Sequence, residues 1–187
     1  MTYRDMLPLV VSVVRGAPIP WVETELRESA LAFFQRSSAW IEDLDPVTLV
    51  AGETTAELDL PPGAAVAVLL SAKANAVQVR LTRDAAGAGN SIVFARPFPE
   101  DVEIAATAAL KPAFSSQGIP DDMREFVPAI LHGAIARLKA HGGVEWSDPQ
   151  GSALALGRYK DEIARARRRS LVGPNINTLA VRPVSFI

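Results

Sequence analysis

The feature that most constrains the fold is a change in the spacing of apolar residues along the chain. Over residues 21–41, apolar side chains recur every three or four positions, as on one face of an α-helix. Between residues 46 and 112, short runs alternate polar and apolar residues, which is typical of β-strands. Helical spacing returns after Gly118. This order predicts a β region inserted between helices, because each amphipathic helix must bury its apolar face against another element.

The first helix has a clear apolar face and a predicted end. Its face consists of Val22, Leu26, Ala30, Phe33 and Phe34, with Trp40 or Ile41 extending it. We expect it to start around Pro20 and to end near Trp40, before an acidic turn and Pro46. The β-branched run at residues 9–14 leaves two interpretations open, a strand or a short buried segment.

The β region contains several short predicted strands separated by turns. Pro61-Pro62-Gly63 is a strong break, and residues 85–90, with two glycines, are predicted to form a mobile loop tip. Short strands at this spacing favour a small antiparallel barrel or sandwich. The strands are predicted at residues 47–50, 55–60, 65–72, 77–81, 91–95 and 102–110.

Two further helices follow the β region. Pro120-Asp121-Asp122 opens one with an aspartate as the expected N-cap, and Pro128 predicts a kink or a late start. Ser147-Asp148-Pro149 opens the last helix, and Gly173-Pro174 stops it. The residues expected to form the apolar seam of the last helix are Leu156, Tyr159, Ile163 and Ala166.

The predicted fold class is therefore α+β, a helical bundle with an inserted small antiparallel β barrel or sandwich module and an extended C-terminal tail. Its parts are an N-terminal segment with the first bundle helix, the β module, the later bundle helices and the tail. They span residues 1–45, 46–112, 113–172 and 173–187. The tail is unusual because it is rich in apolar residues, whereas disordered tails are normally polar.

Composition excludes several classes of protein. The chain has no cysteine, which removes disulfides, thiolate metal sites and cysteine nucleophiles. The apolar run at residues 7–14 is far shorter than the ~20 residues that span a bilayer, so we expect no membrane partner and synthesis in the cytoplasm. A net charge of −2 argues against a nucleic-acid binder held by overall charge.

Residue patterns for catalysis are weak, and we predict no catalytic, cofactor or metal residues. His132 and His141 lie nine positions apart, which points them in different directions on a helix. The glycine-rich stretch at residues 87–91 lacks the lysine and following helix of a phosphate loop. One alternative stays open. A small hydrolase or a cation site could use the acidic residues Glu42, Asp43 and Asp45, which are otherwise solvated in a turn.

The last helix carries a concentration of positive charge. Part of it is explained by pairs four residues apart, Arg158 with Glu162 and Asp161 with Arg165. The remaining arginines are predicted to face solvent, an acidic partner or, less favoured, DNA. The residues predicted to supply channel or partner electrostatics are Arg165, Arg167, Arg168 and Arg169.

The order of these segments resembles that of the head-to-tail adaptor proteins of tailed bacteriophages. Leu-Asp-Pro stands before a predicted strand and Pro-Asp-Asp before a predicted helix. The similarity covers most of the chain, and the Ala/Gly-rich residues 85–89 and the apolar N-terminal run depart from the usual pattern. The matching stretches are residues 21–30, 33–36, 40, 44–52, 57–63, 109–112, 118–122, 133–138 and 158–168.

The resemblance implies a structural virion protein at the head–tail interface. Copies would form a ring of about twelve below the portal, matching its symmetry, with genomic DNA passing through the channel without specific binding. The other side would receive a tail, nozzle or stopper protein. Alternatives are a tail-completion or terminator protein, or a DNA-binding module using the arginines. The tail residues expected to dock into the portal are Ile176, Leu179, Val181, Arg182, Pro183, Val184, Phe186 and Ile187.

Overall fold

The computed structural model describes residues 1–81 and 83–172 of the chain and has an α+β fold. The helices are α1 (Tyr3–Val11), α2 (Ile19–Ser37), α3 (Val127–Ala140) and α4 (Pro149–Val172), with a 3₁₀ helix at Asp121–Phe126. The strands are β1 (Trp40–Leu49), β2 (Thr55–Glu57), β3 (Ala64–Ala74), β4 (Val77–Val79), β5 (Ala85–Ala88), β6 (Ser91–Phe94) and β7 (Val102–Pro112).

The N-terminal segment, for which the sequence allowed a strand, forms helix α1. Thr2 caps it, because the Asp5 amide donates to Thr2 Oγ1 at 3.2 Å and the Thr2 amide donates to Asp5 Oδ2 at 2.9 Å. Tyr3, Met6 and Val10 are fully buried at helical spacing. The cap and this buried face together outweigh the preference of Val10 and Val11 for strands.

Helix α2 buries the predicted apolar face but ends earlier than predicted. Val22 and Phe34 are among its fully buried residues, which confirms the face. The helix ends at Ser37, because Ser38 adopts a left-handed conformation with φ of 50°. The prediction of a helix reaching Trp40, followed by an acidic turn, is wrong. Trp40 begins strand β1, so the β region starts six residues before residue 46.

The described strands form two separate antiparallel sheets rather than the closed barrel that was one expectation. The four-stranded sheet has the order β1-β7-β3-β4, and the three-stranded sheet has the order β2-β6-β5. Strand β7 lies inside the larger sheet and buries alternate residues along one face, from Val102 to Leu110. Strand β7 therefore carries one continuous apolar face.

Residues 85–88, predicted to lie in a loop tip, form strand β5 instead. They pair with β6 across a turn at Gly89, which has φ of 62°. The next residue anchors this turn, because Asn90 Oδ1 accepts a hydrogen bond from the Val66 amide at 3.1 Å. A Cβ at Gly87 would lie 3.5 Å from Leu69, which is an ordinary van der Waals contact.

The later helices follow the predicted start and stop signals, with two corrections. Helix α3 starts late, at Val127, as Pro128 predicted. No aspartate caps the preceding 3₁₀ helix, because the Asp121 carboxylate accepts from the Met1 ammonium group at 2.9 Å. In α4, Tyr159 and Ala166 are buried as expected, but Leu156 is 40% exposed and lies outside the seam.

Helices α2, α3 and α4 meet at Gly133. A Cβ at this position would overlap Ser29 Oγ of α2 and would approach the Tyr159 ring of α4 to 2.8 Å. Ser29 is fully buried, and its hydroxyl donates to the Ile130 carbonyl at 2.7 Å. The Tyr159 hydroxyl donates to the Ser29 carbonyl at 3.0 Å. Glycine at residue 133 thus lets three helices approach closely while both buried hydroxyls keep their hydrogen bonds.

A cluster of aromatic side chains joins these helices to the larger sheet. The Phe34 ring lies 5.9 Å from Trp40 of β1 and 6.0 Å from Phe126. The Phe33 ring lies 5.2 Å from Phe126 and 6.3 Å from Tyr159. These separations are in the favourable range for aromatic pairs, so one apolar core includes both helices and strands.

Replacing the glycine at the three-helix crossing should destabilise the fold. We expect Gly133→Ala to lower the free energy of unfolding by about 1–3 kcal/mol, because the added methyl group must displace Ser29 or Tyr159. Gly157→Ala is the matched control, since it lies in α4 with nothing within 4 Å of the added Cβ. It should stabilise the chain by about 0.5–1 kcal/mol through helix propensity. Urea denaturation measures both changes in stability. Equal effects of the two substitutions would contradict a close crossing of the helices at Gly133.

Stability should also fall in strong alkali because of Tyr3. Burial raises the pKa of Tyr3 from 10.0 to about 12, opposed by the Arg27 charge. A raised folded-state pKa gives a contribution that is complete below pH 10 and is lost as the pH rises through 12. We expect Tyr3→Phe to reduce the loss of stability between about pH 9 and about pH 12 in urea denaturation. An unchanged pH dependence would show that Tyr3 does not cause it.

Candidate functional site

The C-terminal half of α4 is the most strongly charged element of the described chain. Two of its arginines form surface ion pairs: Arg165 with Glu162 at 3.0 Å and Arg169 with Glu125 of the 3₁₀ helix at 2.7 Å. Their side chains are 63% and 65% exposed. Exposed pairs of this kind contribute little to stability, so the arginines keep most of their charge available to a partner.

Arg167 and Arg168 are exposed, and in residues 1–81 and 83–172 neither forms an ion pair. The two i, i+4 pairs expected from the sequence, which involve Arg158 and Asp161, are not formed either. Glu162 lies nearer to Arg165, three positions away, than to Arg158. Positive charge near a helix C-terminus interacts favourably with the helix dipole, which stabilises this arrangement.

The C-terminal end of α4 contacts the C-terminal end of α2. The Ser170 hydroxyl lies 3.1 Å from the Ser37 carbonyl and 2.9 Å from the Arg167 carbonyl, and either oxygen can accept its hydrogen. The last turn of α2 carries Arg36, whose charge acts on the Tyr159 hydroxyl. No local pattern in the sequence connects Arg36 with the arginines of α4, because Arg36 lies far from them in the chain. We call Arg36, Arg165, Arg167, Arg168 and Arg169 the basic end.

The predicted docking tail follows directly from this end. Leu171, in the last turn of α4, is 77% exposed. All the predicted docking residues, from Ile176 to Ile187, lie outside the described residues. The described structure therefore defines where the tail starts, beside the basic end.

Four exposed large apolar residues lie in the sequence at and before the start of α2, the end remote from the basic end. Leu9, Val13, Ile19 and Trp21 are between 46% and 60% exposed, and we call these four residues the apolar end. Trp21 packs against His141 and Trp146, with ring centroids 5.2 and 5.9 Å away. Groups of exposed large apolar side chains commonly mark protein interaction sites.

The acidic residues Glu42, Asp43 and Asp45 lie on strand β1 and not in a turn. Glu42 Oε1 accepts from the Trp40 indole, and Asp43 Oδ1 accepts from the Thr107 hydroxyl, both at 2.6 Å. Strand β1 is at the edge of its sheet, and its pairing with β7 is irregular between Leu44 and Val47. Charges, a proline and an irregularity on an edge strand oppose unwanted pairing with other chains.

A shallow cleft of about 250 Å³ lies beside these carboxylates. Asp59 and the two prolines that follow Leu60 complete its lining, together with the three acidic residues of β1. Among the described residues, no group of three or more histidines, aspartates and glutamates could hold a metal ion. The carboxylates therefore form an acidic surface and carry no sign of a metal centre.

The two histidines occupy separate places. His141 Nε2 lies 3.7 Å from Glu25 Oε1, beside Trp21. His132 is half-buried on α3, and its Nδ1 has no hydrogen-bond partner in the described part of the chain. Burial and the nearby Arg158 charge lower the pKa of His132.

A further cleft was not foreseen from the sequence. It measures about 720 Å³ and is lined by strand β4 and the segment after β6. Its charged residues are Arg83, Asp84 and Arg96. A single carboxylate without a histidine or a second acid provides no general acid–base pair. Because its residues come from strand ends and turns, no periodic pattern in the sequence could have revealed it.

Comparison with known proteins gives no family assignment. No protein-family model matches the chain, and a search of curated proteins found no match. Within the described residues, no helix is both long enough and apolar enough to cross a membrane.

Reversing the charge of the basic end should leave the fold intact. We expect Arg167→Glu with Arg168→Glu to change the Tm by less than about 3 °C, because both side chains are exposed and unpaired in the described structure. Differential scanning fluorimetry measures this change. A much larger loss would mean that the arginines serve the fold, which would remove them as candidates for partner binding.

Proposed function

We propose that the chain is a non-enzymatic structural subunit that connects two assemblies, a head-to-tail adaptor of a tailed bacteriophage. It would form a ring below the portal, with a channel for genomic DNA, and would act in the virion after synthesis in the host cytoplasm. In this proposal the helices form a bundle that carries the strands as an inserted sandwich module. Residues 173–187 form the extended docking tail.

The observation that carries the proposal is the arrangement of two different surfaces at opposite ends of α2. The apolar end lies at its start, and the basic end with the origin of the tail lies at its finish. A helix of 19 residues separates the two ends by about 28 Å. A subunit with unlike surfaces at opposite ends is suited to link one assembly to another.

The composition of the tail supports portal docking. An extended apolar segment orders on binding and buries its side chains, so it can insert into a groove of a partner. Repetition of the contact around a ring increases the total affinity without any new interaction. The tail-side partner, a nozzle, stopper or tail protein, would then meet the apolar end.

Two alternatives use the same surfaces. A tail-completion or terminator protein would bind the tail tube through the same tail. A DNA-binding module would use the basic end, and it is favoured less because the whole chain carries a net charge of −2.

Electron microscopy of the full chain mixed with the portal ring from the same genome tests the proposal. We expect an added ring of density on one face of the portal. Val181→Asp with Phe186→Asp should abolish it, because charges cannot enter an apolar groove. Asn177→Asp with Ser185→Asp is the matched control, since it adds the same charge at polar positions of the same segment.

A portal that stays unchanged with the wild-type chain would contradict the adaptor role. Binding to tail-tube protein in the same assay would then support the completion role. Equal binding of both double variants to the portal would show that the tail does not form the contact.

A further inference from the structure

Charge is distributed very unevenly over the molecule. Helix α4 carries six basic and two acidic residues. Residues 40–72, which include β1, β2 and most of β3, carry six carboxylates and neither lysine nor arginine. The net charge of −2 therefore hides two surfaces of opposite sign. Segregated charge of this kind directs association between molecules.

The acidic surface has a defined centre. Glu42, Asp43, Asp45 and Asp59 line the same shallow cleft, and we call these four residues the acidic strip. Asp43, Asp45 and Asp59 are exposed, and Glu42 is half-buried. In the described residues none of the four forms an ion pair, although Glu42 and Asp43 accept hydrogen bonds from Trp40 and Thr107. Their negative charge is left without a neutralising cation within the described copy.

The acidic strip is also accessible to a second molecule at the edge of the larger sheet. It lies along β1, an edge strand of the larger sheet. Backbone pairing along this edge is opposed by Pro46 and the local irregularity, so a partner is expected to contact side chains there. Arginine suits such a surface, because its planar guanidinium group forms paired hydrogen bonds with carboxylates.

We infer that the basic end of one copy binds the acidic strip of a second copy. The partner is a copy of this chain because both complementary surfaces belong to it. Within the described residues, Arg167 and Arg168 of the basic end form no ion pair, and neither do the four carboxylates of the acidic strip. DNA fits less well, because the carboxylates of residues 40–72 would repel its phosphates. The inference deepens the proposed function, on which it rests for the ring, by naming the surfaces through which neighbouring copies meet.

The strength of the contact follows from its exposure. Single exposed ion pairs stabilise an association only slightly, so one contact is weak and sensitive to salt. Two such contacts per copy, closed into a ring, add to a stable assembly. We expect self-association that strengthens at low ionic strength and with protein concentration.

Sedimentation velocity on the full chain, without portal, tests the inference by charge exchange. Arg167→Glu with Arg168→Glu reverses the basic end, and Asp45→Lys with Asp59→Lys reverses the acidic strip. Each variant alone should associate at least about tenfold more weakly than the wild type, because like charges then meet. An equimolar mixture of the two should associate again, since each altered surface finds its complement.

The control changes the net charge by the same amount as the basic-end variant, at other positions. Arg83→Glu with Lys160→Glu alters two exposed residues outside both surfaces and should associate as the wild type does. The inference is overturned if the wild type stays monomeric at about 100 µM and low salt, or if the mixture associates no better than its components. A mobility shift of DNA that requires Arg167 and Arg168, with sedimentation unchanged, would also overturn it and assign the basic end to nucleic acid.

This experiment is independent of portal binding. Failure of charge exchange with successful portal docking would reject the contact between copies and keep the adaptor. The reverse result would keep the contact and reject the adaptor.

Discussion

The close crossing of α2, α3 and α4 at Gly133 is the constraint on which the rest of the structure depends. The chain has no cysteine, so non-covalent contacts must hold the helices together. Because Gly133 has no side chain, Ser29 and Tyr159 can approach it closely. Their buried hydroxyl groups donate hydrogen bonds to neighbouring carbonyl groups. Because buried hydroxyls without partners are costly, these bonds also specify how the helices are placed along one another.

That crossing determines where the charged and apolar surfaces appear. With Tyr159 held against Ser29, the remaining turns of α4 run beside α2 until Ser170 meets the carbonyl of Ser37. The arginines of α4 thereby join Arg36, while Trp21 and its neighbours stay at the other end of α2. A rigid helix between two exposed surfaces is a mechanical link, and the proposed connector role uses this property rather than any chemical group.

Strand β1 combines two tasks that concern other molecules. Its carboxylates, Pro46 and irregular pairing keep an exposed edge from adding strands of other chains. The same carboxylates provide a negative surface that matches the basic end. In the inferred contact between copies, the same charges that exclude random backbone pairing would select a partner of opposite charge.

The sequence by itself determined the elements that have a long periodic pattern of apolar residues or strong start and stop signals at their ends. The buried face of α2, the late start of α3 at Pro128, six of the seven strands among the described residues and the arginines of α4 could all be predicted from it. Tertiary structure decided the rest, because the signals there are short or come from distant residues. The cap and burial of Tyr3 made α1 a helix, and pairing with β6 made residues 85–88 a strand. Folding also brings together residues that no local pattern connects. Arg36 lies near the arginines of α4, and Asp59 lines the same cleft as the carboxylates of β1, for this reason alone.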